Sequence, residues 1–396
     1  MPDILGNILI YLGSFVLVLS VVVFVHEFGH FQVARWRGVA IDTFSIGFGK
    51  TLFGWHDKQG VQWKVGALPL GGYVKFADDA DAMSSAPREK IDDPEALAEA
   101  RAKGLFHAQP LSTRSMVVAA GPLTNFVFSI LAFALIALIV GRDATDYSTV
   151  PARVAAVADG SAAAAAGLRP GDVILGANGQ AITSFTALQT LVSAAPEQQL
   201  TLQVERDGAL VELSATPQRN GNRGMLGVSG PLVLESERVI ERFGPLTALG
   251  AGAANTWDII AKTGAYIGAI FAGRESGDQI AGPLGIINVS GQVATSALSS
   301  GGGDDGGIAA RIGLLALSLL SLAAVLSVAV GIVNLLPIPI LDGGHLLFYG
   351  IEAVRGGKPL PASAQEWAYR AGFAVMASLF LFATWNDITR LLPGAQ

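Results

Sequence analysis

Eighteen consecutive residues, 8–25, carry no charged side chain and run straight into His26-Glu27-Phe28-Gly29-His30. About 20 apolar residues cross the hydrocarbon core of a bilayer as a helix, so this opening constrains the chain to a membrane fold. Three ionisable groups then sit in lipid or at its edge. Each costs about 2.5 kcal/mol or more there, which makes them functional candidates. Histidines four apart share a helix face, so His26 and His30 can reach one Zn²⁺. Glu27 lies beside such a metal, able to take a proton from water. A chance H-E-x-x-H is the alternative. The membrane position argues against it, because an unpaired His-Glu-His cluster is costly to keep in lipid.

Composition agrees with a polytopic membrane protein. Charged residues are 15% of the chain, hydrophobic residues 51%, and mean hydropathy is +0.48, whereas soluble domains average about 25% charged. A net charge of −6 leaves no basic footprint and excludes nucleic acid as a partner. With no cysteine, disulfides and thiolate ligands are excluded. The leader lacks a basic n-region, so residues 1–36 read as a retained helix rather than a signal peptide.

Four spans are expected, which makes the fold class a polytopic α-helical membrane protein. They are residues 1–36, 115–141, 312–345 and 371–390, the last with its apolar stretch at 371–385. Residues 250–273 are apolar but hold Asp258 and Lys262, and read as a surface-lying amphipathic helix. Eleven Lys and Arg lie between Arg35 and Arg114, and none precedes the first span. The positive-inside rule therefore expects a cytoplasmic connector over 37–114, with the termini and the segment after the second span outside.

Within that connector, residues 61–76 read as a membrane-associated β-hairpin with its turn at Pro69-Leu70-Gly71-Gly72. An ordinary surface hairpin is the alternative. Residues 78–103 are acidic and Ala-rich and read as a solvated loop or exposed helix. Residues 151–217 hold short strands at 153–157, 173–176, 200–205 and 210–215 and a helix at 183–194. Their order, with G-L-R-P-G-D-V-I-x(3)-N-G from Gly167 to Gly179, resembles a PDZ domain of the bacterial protease type. Such a β-rich insert captures a peptide or a substrate's external domain by strand addition, or serves as a spacer. Residues 218–311 then read as an external amphipathic and linker region, ending in the Gly-rich 299–307.

A catalytic zinc needs a third protein ligand. Asn334-Leu-Leu-Pro-Ile-Pro-Ile-Leu-Asp342-Gly-Gly-His345 closes the third span. Asp342 follows an apolar run with no nearby cation and wants a partner. His345 is the rival ligand, and a helix terminus with Asp342 in a cytosolic turn is the bland alternative.

Together, H-E-x-x-H and N-x-x-P-x-P-x-L-D-G resemble the site-2 protease family of intramembrane zinc metalloproteases, nearest the bacterial regulator-of-sigma-E protease type. The likeness extends to G-F-G-K at 47–50, P-L-G-G-Y-V-K at 69–75, G-P-L-T-N-F at 121–126 and G-P-L-G-I at 282–286. The resemblance implies one Zn²⁺ per chain held by His26, His30 and Asp342, and Glu27 as general base. It also implies that Asn334 supports the substrate backbone or the developing oxyanion. The hairpin, through Leu68, Pro69, Leu70, Gly71, Gly72 and Tyr73, is expected to hold an unwound substrate by strand addition. Implied substrates are single-pass proteins in the lipid bilayer of the bacterial inner membrane. They are of the anti-sigma-factor type, cut after a first external cleavage, with remnant signal peptides as a further class. Members commonly carry two tandem PDZ domains, whereas one is visible here. Two other classes compete. A PDZ scaffold with a degenerate metal site would lack Glu27 or Asp342, and both are present. A metal-dependent transporter would show more spans or internal repeats.

Overall fold

A computed structural model describes residues 2–77, 91, 93–221, 223–278, 280–300 and 307–391. The chain divides into two compact units, Met1–Ile139 with Gly244–Gln396, and Val140–Phe243.

The first unit opens with α1 (Pro2–Trp36), followed by β1 (Ile41–His56), β2 (Gln62–Phe76), α2 (Pro94–Ala102) and α3 (Leu111–Val140). The expected hairpin within 61–76 is corrected here. The two halves of β2 do not pair with each other: 62–65 lie beside 43–46 on one flank and 72–75 run back along the other, so the reversal through Pro69–Gly72 goes around the start of β1. Phe44 pairs with Val74 on one flank and with Trp63 on the other, so the start of β1 lies inside the sheet. Gly72 in that reversal and Gly66 before it also allow close approach. A Cβ on Gly72 would lie 2.7 Å from the Ser45 carbonyl oxygen, and one on Gly66 would lie 2.5 Å from that of Phe48. Among the described residues, 68–74 have a β partner on one flank only.

The sheet is tied to α1 by packing and charge. Phe44, fully buried, packs with Phe31 and Trp63. Burial of such a ring stabilises by about 1.5–3 kcal/mol. Arg35 bonds to Gln59 and to Asp57 Oδ2 (2.7 Å), and the Trp63 indole donates to the same oxygen at 3.3 Å. Burial pushes the Asp57 carboxyl up, but these bonds and those from the Gln59 and Val61 N–H groups outweigh it and hold it at about 2.

The second unit contains β3 (Arg142–Asp143), β4 (Ala156–Val157), α4 (Ala162–Ala165), β5 (Val173–Ala177), β6 (Gln180–Ala181) and α5 (Phe185–Ser193). It continues through β7 (Leu200–Arg206), β8 (Ala209–Ala215), β9 (Gln218–Asn220), β10 (Arg223–Met225), β11 (Val228–Ser229) and β12 (Ile240–Glu241). Strands β6-β5-β7-β8 form one sheet. Positive φ at Asp207 (51°) and Gly208 (78°) makes the tight β7–β8 turn. Ser184 caps α5 by accepting the Ala187 N–H. The expected boundary at 217 is too early. β11 pairs with β4, β12 pairs with β3, and Leu226 joins the core with Val154, Ile174, Leu188 and Leu202. Residues 218–243 thus complete this unit rather than belonging to a linker. The expected strand at 153–157 is reduced to β4 and a bridge from Arg153 to Val173.

The chain returns through α6 (Pro245–Phe271), α7 (Pro283–Ser300), α8 (Ile308–Asn334), α9 (Asp342–Val354) and α10 (Ala362–Leu391). Four helices are long and apolar enough to cross a membrane: Gly6–Trp36 of α1, α3, α8 and Ala362–Arg390 of α10. α6 is not among them. The third expected span is shorter than 312–345, because α8 stops at Asn334. Pro337 and Pro339, which lack N–H groups, follow that stop. The fourth is longer than 371–390, because polar residues 362–370 hide its first turns. The expected acidic segment 78–103 and Gly-rich 299–307 lie largely outside the described residues; of the former, 94–102 form α2.

Small residues let these helices meet, as packing within lipid requires. Val18 and Val22 of α1 pack with Ala294 of α7 and with Leu319 and Ala323 of α8. The Tyr11 ring lies directly over Gly291. Asp387, 2% exposed, accepts the N–H groups of Gly282 (3.0 Å) and Gly285 (2.9 Å), so α10 caps the start of α7.

Candidate metal centre

α1 brings the His26 and His30 rings together at nearly a right angle, with centroids 4.8 Å apart. α3 can lie against this face because two positions carry no side chain. A Cβ on Gly29 would stand 2.5 Å from the Ala120 carbonyl oxygen. One on Gly121 would stand 2.3 Å from His30 Nε2 and 2.9 Å from His26 Cε1.

The third group comes from beyond the break after α8. Gly343 and Gly344 fold closely under residues 335–339, where a Cβ on either would come within 2.6 Å of the preceding backbone. This reversal makes Asp342 the first residue of α9, so the backbone there is helical and not extended. Asp342 Oδ2 lies 3.2 Å from His26 Nε2 and 3.4 Å from His30 Nε2, and the two Nε2 atoms are 3.3 Å apart. The three side chains are 12–17% exposed.

This triangle fits a metal. Bonds of about 2.0–2.1 Å around a tetrahedral ion imply ligand-to-ligand edges of about 3.3–3.4 Å. Asp342 Oδ2 is close enough to both rings for ion pairs, yet it is buried and accepts no hydrogen bond of acceptable geometry. The three atoms lie close enough together to be shared by one ion. Two nitrogens and a carboxylate oxygen are a donor set that suits zinc.

The far sides of the rings are held by α3. His30 Nδ1 meets the Val117 carbonyl oxygen at 2.9 Å, and His26 Nδ1 lies 3.1 Å from Asn125 Nδ2. Glu27, half-buried on α1, faces β2: a Cβ on Gly72 would lie 2.9 Å from Glu27 Cγ. Leu68 is 54% exposed on the strand leading there, and Tyr73 stacks on Phe48. Pro69 and Leu70 continue that strand, and Gly71, at φ 140°, lies under Phe48. Of the remaining predicted residues, Asn334 ends α8 with its amide donating to the Val330 carbonyl at 3.1 Å. His345 stays out of the triangle, its ring 5.9 Å from that of Tyr369.

Sequence reasoning assigned Val117, Gly121 and Asn125 no role at the site. One signal existed: an asparagine inside an uncharged twenty-five-residue span is itself anomalous.

Comparison with known proteins agrees in kind. The sequence profile of Peptidase family M50 matches residues 14–379. A Rhizobium meliloti protein, named as a candidate zinc metalloprotease, is 41% identical over 400 residues, covering 99% of this chain and 100% of its own. The metalloprotease MmpA of Caulobacter vibrioides is 42% identical over 393 residues, covering 96% of each chain. The regulator of sigma-E protease RseP of Escherichia coli is 28% identical over 475 aligned positions, covering 96% of this chain and 98% of its own.

Proposed function

The chain belongs to peptidase family M50, the site-2 protease family, and from that premise we propose that it is a zinc metalloendopeptidase that cuts membrane proteins within or near their transmembrane segments. His26, His30 and Asp342 hold one Zn²⁺, and Glu27 is the general base. The observation that carries this reading is the 3.2–3.4 Å triangle of which an otherwise unsatisfied carboxylate oxygen is one corner. Zinc supplies Lewis acidity, polarising a carbonyl and making water a competent nucleophile near neutral pH. Glu27 takes the proton from the attacking water and returns it to the leaving amine.

A transmembrane helix hides its peptide bonds in its own hydrogen bonds, so a substrate must unwind before it is cut. The one-sided strand at 68–73, ending beside Glu27, offers an edge on which an unwound segment can add. Asn334 supports the substrate backbone once its amide leaves Val330. The substrates in this reading are single-pass proteins of the anti-sigma-factor type, already trimmed outside, and remnant signal peptides. The protein sits in a bacterial inner membrane, with its termini and the Val140–Phe243 unit external and the metal toward the cytoplasmic side. The charge of the first connector supports that orientation.

The Val140–Phe243 unit is PDZ-like in this reading and filters substrates by the size of their external parts. A receptor role is the second reading. It is favoured by a cleft of about 380 Å³ between Phe185, Leu188 and Val192 of α5 and residues 224–228.

The test uses purified protein in liposomes with a single-pass substrate. Cleavage should vanish on chelation, return with zinc, and be absent in Glu27→Gln. Capture of uncut substrates by that variant would identify them. Cleavage that survives complete metal removal would overturn the proposal.

A further inference from the structure

The Asn125 side chain is only half satisfied. It is completely buried in α3, and its Oδ1 has no hydrogen-bond partner while its Nδ2 lies 3.1 Å from His26 Nδ1. Its backbone is pinned. The Asn125 carbonyl accepts from Ser129 Oγ (2.9 Å) and Ser327 Oγ (3.2 Å), and Ser129 also reaches the Ala324 carbonyl of α8 at 2.8 Å. The amide therefore stands at a fixed place beside His26 with one end wasted.

The two ends of an amide are nearly the same shape, so the hydrogen-bond chemistry decides which faces the ring. If Nδ2 donates to His26, ring nitrogen Nδ1 must accept and the ring proton sits on Nε2. That proton would point into the triangle and block a metal. If Oδ1 faces the ring, it accepts the Nδ1–H, and Nδ2 takes the position where Oδ1 stood without a partner. Nε2 then turns a lone pair toward Asp342 and His30. His30 already has this arrangement, because a backbone carbonyl, Val117 O, can only accept from its Nδ1.

We propose that Asn125 is the positioning residue of His26, accepting the Nδ1–H through Oδ1 and so fixing the ring with Nε2 free for the metal. Both histidines are then oriented from α3, one by a backbone carbonyl and one by a side-chain carbonyl. The inference rests on the zinc reading above. It deepens that reading by giving the G-P-L-T-N-F segment a physical role, in which Gly121 makes the room and Asn125 sets the tautomer.

The test measures zinc affinity of the full-length protein by chelator competition, with the unfolding temperature of the metal-free form alongside. Asn125→Leu keeps the size and removes the acceptor. Loss of such an outer partner weakens metal binding by about 10–100-fold, and the metal-free unfolding temperature should barely move. Asn125→Asp restores an acceptor and should recover most of the affinity that Asn125→Leu loses. Histidine nitrogen NMR of the zinc-loaded wild type, where only five histidines contribute, should show His26 protonated at Nδ1. Wild-type affinity in Asn125→Leu, or a bare Nδ1 on His26, would overturn the proposal. If the leucine variant does not fold, the wild-type spectrum decides alone. Failure of the wild type to bind zinc would instead remove the metal centre itself.

Discussion

Arg114 and Glu352 stand 238 positions apart in sequence and meet through two bonds, of 2.6 and 3.2 Å. Both side chains are mostly buried, at 17% and 11% exposure, and the guanidinium also lies over the Tyr349 ring. The pair joins α3, which holds the outer sides of both histidines, to α9, which starts at Asp342. Glu352→Ala leaves a buried cation without its partner, and the expected cost is about 3–5 kcal/mol. Thermal unfolding of the detergent-solubilised protein should show the loss, and zinc affinity should fall with it. The reversed pair, Arg114→Glu with Glu352→Arg, should recover part of both; an unchanged unfolding temperature in Glu352→Ala would contradict this role.

Three variants separate ligand from base. Glu27→Gln should keep zinc and lose proteolysis by about 100-fold or more, because a base is removed and no ligand is. Asp342→Ala should lower zinc occupancy, since it removes one corner of the triangle. His345→Ala should leave occupancy unchanged. Metal analysis of the purified proteins checks all three, and zinc loss in His345→Ala alone would move the third ligand there.

Removal of Val140–Phe243 distinguishes filter from receptor. As a filter, the unit excludes substrates with bulky external parts, and its in-frame deletion should allow their premature cleavage. As a receptor, it recruits trimmed chains, and deletion should slow their cleavage. Cleavage of one substrate, with and without its external domain, by both enzymes gives the answer.

Acid should loosen the sheet of that unit through Asp172. Burial pushes the Asp172 carboxyl up, but two bonds from Arg206, each 2.8 Å, and the Arg169 N–H outweigh it and hold it below the ordinary carboxylate range. A depressed folded value contributes stability that is present above the unfolded value, about 3.9, and lost as pH falls through the folded value. Protection factors for amide exchange across β5 and β7, with the intrinsic rate at each pH divided out, should therefore fall below about pH 4 in the wild type. In Asp172→Asn they should already be low at neutral pH, with little further change on acidification. A variant that exchanges like the wild type at pH 7 would refute the assignment.

Much of the site was legible because its spacing is local. The i, i+4 histidines declare a shared helix face, and Asp342 declares itself as a carboxylate stranded after an apolar run. What stayed hidden depends on distant partners. Nothing in residues 61–76 says that residues 41–48 will pair with them on two sides. The two-residue strands β11 and β12 are too short to carry a period, so the return of 218–243 into the second unit left no trace. α10 was cut short because Gln365, Glu366 and Arg370 look like a loop, although a helix can begin with them outside the apolar zone. Asn125 was visible as an oddity, but its meaning required the histidine ninety-nine positions away.

Gly72 also imposes an arithmetic. It holds one point of the 68–74 edge against Glu27, and the inner pairing of β1 keeps that edge from shifting. A chain laid along such an edge alternates its faces, so a slip of one residue inverts every side chain while a slip of two restores them. Secondary cuts should therefore fall at even offsets from the main one. Mass spectrometry of the product ends can count them, and a ladder of single-residue steps would mean that no fixed edge measures the substrate.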